Sequence, residues 1–159
     1  MELCHSADGQ KQNDWRLNIF PTGGWPMNNI KSHGSHIFLD YTGYSPNGDD
    51  DGNWMLQIMR EAVINSEAKE VHSHVEQFDG ITSPPGFAAV VLLDESHVTA
   101  HCYSQKGWLA IDCFTCGQCD PNTIVDQIQQ ALNRAIPNLK LIKKSSQERF
   151  LHEQESKES

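Results

Sequence analysis

Between Phe87 and Phe114, three strand-length runs follow one another with only turns between them, which leaves few folds open. Phe87 to Leu93 is apolar without interruption, as expected of a buried central strand. His97 to Tyr103 and Trp108 to Phe114 read as a hairpin around Ser104-Gln105-Lys106-Gly107. Runs joined this closely are antiparallel, because a parallel return needs a crossover of roughly a dozen residues.

The flanking chain supplies the second layer. Ser35 to Thr42 is rich in β-branched and aromatic residues and reads as a first strand, closed by the turn cluster Ser45 to Gly52. From Asn53, which can cap, to about Ala68, the residues Met55, Ile58, Met59, Ala62 and Val63 recur at helical spacing. Val71 to Phe78 predicts a strand, and Asp79 to Gly86 a loop. Asp120 and Pro121 then open a second helix, whose apolar positions Ile124, Val125, Ile128, Ala131, Leu132 and Ala135 continue until Pro137. Leu139 to Ile142 predicts a last edge strand. The expected fold is α+β: a two-layer sandwich over 34–143, with an antiparallel sheet and two helices packed on one face. Residues 1–33 read as an added arm whose Trp15, Phe20 and Trp25 pack on the domain surface or across a dimer interface, and 144–159 as a charged, frayed tail.

Charge narrows the partners. A formal net charge of -9 disfavours nucleic acid and anionic membranes, which recruit clustered Lys and Arg, and suits a cationic small substrate. No apolar run approaches the ~20 residues of a membrane helix. Five cysteines behind an N-terminus that is neither basic nor apolar point to reduced thiols and a cytoplasmic location.

The chemistry concentrates in Glu95-Ser96-His97, in His101 and in Phe114-Thr115-Cys116-Gly117. A hydroxyl at a strand's start, imidazoles near it and a thiol beyond supply a nucleophile and two proton carriers. Alternation puts Val98 and Ala100 on one face and His97, Thr99 and His101 on the other. Three groupings raise the question of a metal. His72, His74 and Glu76 share a strand face, but a solvent-facing polar face is the preferred reading. The acidic loop Asp49-Asp50-Asp51 lacks the spacing of a calcium loop and favours a helix N-terminus instead. Cys113, Cys116 and Cys119 have cluster-like spacing, but alternation sends the first two to opposite faces, so no metal is assigned.

Glu95-Ser96-His97, His101 five positions after the serine, and Gly107 to Gly117 together resemble the prokaryotic-type S-adenosylmethionine decarboxylase proenzyme family. The likeness runs without a gap from Gly86 to Gly117 and more loosely from about Gly34 to Leu141. It implies a chain that cuts itself between Glu95 and Ser96 and converts Ser96 into a pyruvoyl group, the cofactor, which forms a Schiff base with the substrate amine and accepts the electrons released with CO2. It further implies that His101 assists processing, that Cys116 donates a proton, that Phe78 stacks on adenine, and that the processed pairs form a homodimer with active sites at the subunit interface. The product would serve spermidine biosynthesis.

Two positions depart from the family pattern. Ala88 stands where the family carries a serine used in processing, leaving Ser83 or Thr82 as substitute hydroxyls. Gln105 stands where a glutamate grips the ribose, forfeiting the stronger charge-assisted bond. They leave two alternatives open: a pyruvoyl-dependent L-arginine or L-ornithine decarboxylase, and an unprocessed regulatory relative.

Overall fold

Residues 30–153, described by a computed structural model, form β1 (Ile30–Lys31), β2 (Gly34–Thr42), α1 (Asp51–Ile64), β3 (Glu70–Phe78), β4 (Gly86–Leu93), β5 (Ser96–Tyr103), β6 (Trp108–Cys116), α2 (Pro121–Ala135), β7 (Lys140–Arg149) and β8 (His152–Glu153). Six strands make one antiparallel sheet in the order β3-β4-β5-β6-β2-β7, while β1 and β8 pair separately. The β4, β5 and β6 runs lie side by side at the centre, as their short connections require. The arm's Trp15, Phe20 and Trp25 lie outside the described residues.

Alternation divides the sheet into two unlike faces. Ile37, Leu39, Phe87, Val91, Ala100 and Ile111 point to one side and are buried there against Met55, Met59, Val63, Ile124, Ile128 and Leu132 of the helices. Both helices cover that face, giving the expected two-layer α+β sandwich. The opposite face carries His97, Thr99 and His101 from β5, Asp112, Phe114 and Cys116 from β6, and His36, Phe38 and Asp40 from β2. No helix of the described residues covers it. Phe87, with none of its surface exposed, sits at the heart of the covered side. Phe87→Ala is expected to lower stability by about 3–5 kcal/mol, read as a fall in the urea midpoint at unchanged slope.

Three boundaries differ from expectation, each for a local reason. The first helix begins at Asp51, and its cap is Asp50, whose carboxylate accepts from the Asn53 backbone N–H at 3.3 Å and from its amide as well. Asp51 in the first turn adds negative charge where the helix dipole favours it, so Asn53 is already inside. The helix stops at Ile64 rather than Ala68, because the Ser66 hydroxyl donates to the Val63 carbonyl at 2.8 Å and competes with the backbone pattern.

The third difference is the largest. Instead of fraying beyond Lys143, the chain continues as β7 to Arg149, pairing with β2 along its whole length across a bulge at Ile142. Backbone ladder bonds need no apolar side chains, and lysines suit an exposed sheet edge. Lys144 adds an ion pair to Asp126 of α2 at 3.1 Å.

Candidate active site

The turn between β4 and β5 holds only Asp94 and Glu95, since Leu93 and Ser96 are already paired. Such a tight reversal forces one residue into the left-handed region, and Glu95 takes it at φ 64°. For a residue with a side chain this conformation costs about 1–2 kcal/mol. The strained residue thus supplies the carbonyl of the bond just before Ser96. The Asp94 N–H donates to the Lys69 carbonyl at 3.0 Å, holding the turn against the loop before β3.

Ser96 Oγ accepts a hydrogen bond from the backbone N–H of Cys116 at 3.1 Å. This bond brings the hydroxyl and the cysteine-bearing end of β6 together across twenty residues of sequence. Beyond Cys116, Gly117 turns at φ 65° and donates its N–H to His33, while Thr115 Oγ1 donates to the Cys119 carbonyl at 2.7 Å. Cys116 points to the open face and Cys113 to the helices, as alternation predicts. Burial pushes the Cys113 thiol up to about 12 and the Cys102 thiol up to about 11, so both remain protonated and unreactive.

His101 is not near Ser96 within this chain. Five residues of extended strand separate them, roughly 16 Å at ~3.3 Å per residue. The imidazole is exposed between two small neighbours, Ala88 on β4 and Ala110 on β6. It borders an open cleft of about 330 Å³ lined by Asp40, Thr42, Tyr103, Trp108 and Ile142. Phe78 lies at the same end of the sheet, paired with Gly86. Gln105 is exposed in the short turn Ser104–Lys106, which is tied down because Ser104 Oγ donates to Asp51 at 2.7 Å and the Tyr44 N–H to Gly107 at 3.0 Å. The expected site residues therefore fall into two groups: Glu95, Ser96 and Cys116 at one end, and Phe78, His101 and Gln105 at the other.

On β3, His74 and Glu76 approach to 3.4 Å on the exposed edge, with His72 beside them. A further group was not anticipated: His36, Asp112 and Arg149, gathered beside His97 on the open face. The signal for His36 and Asp112 is the β2–β6 register, and that for Arg149 is the strand hidden in the presumed tail.

A two-layer α+β sandwich with a strained hairpin and a fixed serine hydroxyl at one end of its sheet, and a thiol at that end on the uncovered face, presents a candidate reaction centre there. A sequence profile of the S-adenosylmethionine decarboxylase family matches residues 35–145. The S-adenosylmethionine decarboxylase proenzyme of Symbiobacterium thermophilum is 31% identical over 116 residues, covering 72% of this chain and 85% of that one. Proenzyme 2 of Bacillus cereus is 35% identical over 112 residues, covering 70% and 85%. The crystal structure of the adenosylmethionine decarboxylase from Aquifex aeolicus matches with a TM-score of 0.56 at 26% identity, over 81% of this chain and 98% of that one. The chain belongs to the S-adenosylmethionine decarboxylase family.

Proposed function

We propose that this protein is a self-processing decarboxylase of S-adenosylmethionine whose cofactor is made from Ser96. The observation that carries this reading is Ser96 Oγ held at 3.1 Å from the Cys116 N–H, directly after a left-handed Glu95. In the cut, Oγ adds to the Glu95 carbonyl carbon, the C–N bond breaks, and the hydroxyl proton passes to the departing nitrogen. Loss of the Cα proton and of the Cβ–Oγ bond leaves a carboxylate on Glu95. Water then replaces nitrogen, releasing ammonia and leaving a ketone at residue 96. Rotation of Glu95 out of its strained conformation favours the first step. The residues fit such a group: the new terminus lies next to the Cys116 backbone N–H, a donor for a carbonyl oxygen, with the Cys116 thiol on the open face.

Once formed, the ketone supplies an electron sink for loss of CO2. This chain's own contribution is a proton from Cys116 to the decarboxylated carbon, and a binding surface at Phe78 and Gln105. Because those residues and His101 lie at the far end of the sheet, one copy does not hold a complete site. A second copy apposed through the open face, related by a two-fold axis, brings its His101 end over the Ser96 end of the first. Leu92, Tyr103 and Trp108, 43%, 44% and 49% exposed on that face, favour such a covering. Intact-mass measurement tests the cut: fragments ending at Glu95 and starting at residue 96 support the reading, and a single intact chain without decarboxylase activity refutes it.

Gln105 motivates a second reading in which the substrate is a basic amino acid without a ribose to grip. CO2 release from S-adenosylmethionine, L-arginine and L-ornithine in parallel separates the two. Under the first reading, Gln105→Glu is expected to lower KM for S-adenosylmethionine about tenfold with kcat little changed, because a carboxylate forms the stronger bond to a hydroxyl.

A further inference from the structure

We propose that His97 returns a proton to Cys116 after each turnover, with Asp112, His36 and Arg149 as its positioning residues. This rests on Cys116 being the proton donor of the reaction.

The argument begins with a buried imidazole. His36 is 9% exposed, and its Nδ1 lies 3.2 Å from an Arg149 guanidinium nitrogen. A guanidinium has donors and no acceptor, so Nδ1 must accept, and the His36 proton resides on Nε2. That Nε2 is buried with no hydrogen-bond partner among the described residues. It points at Asp112 Oδ1 across 3.7 Å, just beyond bonding range. A small carboxylate shift closes the gap and removes the unsatisfied donor, so the pair is set to fix Asp112 in place. The protonated Nε2 is also unable to ligate a metal, so its available partner among the described residues is the Asp112 carboxylate.

Asp112 faces a second imidazole. His97 and His36 are edge-on at 5.8 Å between ring centroids, each about equally far from Phe114 at 5.6 Å. Gly34 makes this assembly possible, because a Cβ there would sit 2.9 Å from the Phe114 ring, over which Arg149 lies at 5.6 Å. His97 pairs with Phe114, so Cys116 is its diagonal neighbour on the same face. Diagonal neighbours stand roughly 7–8 Å apart at Cα, within reach of a ring and a thiol that lean together.

In the proposed sequence, the Cys116 S–H bond breaks as the product C–H bond forms, leaving a thiolate. The His97 imidazolium gives its proton to that sulfur, and the neutral ring regains one from water. The charged and titratable groups facing His97 are Asp112 on β6, His36 on β2 and Arg149 on β7, while its β4 neighbour is Leu92, with His72 beyond on β3. Burial holds the His97 pKa below its ordinary value, Asp112 raises it and Arg149 lowers it. An imidazolium donor is present below its pKa and lost as pH rises through it, so the alkaline limb of turnover reports this group.

The test uses the processed, full-length protein. His97→Ala and His97→Gln are expected to make the first turnover at a near wild-type rate, with steady-state turnover down by about 10²-fold. Added imidazole should restore His97→Ala. Unchanged steady-state turnover, or first and later turnovers falling together without rescue, overturns the proposal. If the His97 variants fail to process, two others decide. Asp112→Asn should move the alkaline limb to lower pH and Arg149→Gln to higher pH; shifts of one sign, or none, overturn it. Should Cys116→Ala leave turnover intact, the underlying reading of Cys116 fails instead.

Discussion

Ser96→Ala is expected to yield one intact chain of 17.9 kDa, with no ketone and no CO2 release from any substrate. The hydroxyl is the atom that attacks and the atom that leaves, so no neighbouring group replaces it. Fold damage does not account for this result, because the substitution removes one hydrogen bond to the Cys116 N–H, worth about 1 kcal/mol. Denaturing electrophoresis and a carbonyl-reactive label read the outcome directly. A variant that still appeared as two fragments would mean that the bond before Ser96 is cut by another agent.

Cys116→Ala separates the two reactions. Cys116 holds Ser96 through its backbone N–H, which alanine keeps, while the thiol points to the open face. Processing should therefore go to completion, and the ketone should form. Decarboxylation should fall by about 10²–10⁴-fold, the usual contribution of a positioned proton donor. Single-turnover and steady-state assays on the cleaved protein check it. If processing failed as well, the thiol would have a role in the cut that its orientation does not suggest.

The central sheet was legible because its signals are local. The apolar Phe87–Leu93 run, the hairpin around Ser104–Lys106 and the Asp120–Pro121 helix start each depend on a few adjacent residues. β7 was not legible beyond Lys143, since an edge strand of Lys, Ser, Gln and Glu gains its place from backbone pairing with β2 rather than from side-chain pattern. The site divided the same way. Glu95, Ser96, His101 and Cys116 could be singled out as a group, and β5–β6 pairing brings all of them but His101 to one end of the sheet. His36 and Arg149 meet across 113 positions, and only the register of four strands, β5, β6, β2 and β7, reveals that they share a face with His97.

The bond before Ser96 lies between β4 and β5, neighbours at the middle of the sheet that are paired from Gly86 to Tyr103. Severing it frees two chain ends but leaves every rung of that ladder in place. The product would be a noncovalent heterodimer in one fold, whose halves each contribute three strands of the main sheet and one helix to the same core. Once denatured, such a molecule must find its other half by diffusion, so recovery becomes second order and slows on dilution, whereas the uncut precursor refolds at a rate independent of concentration.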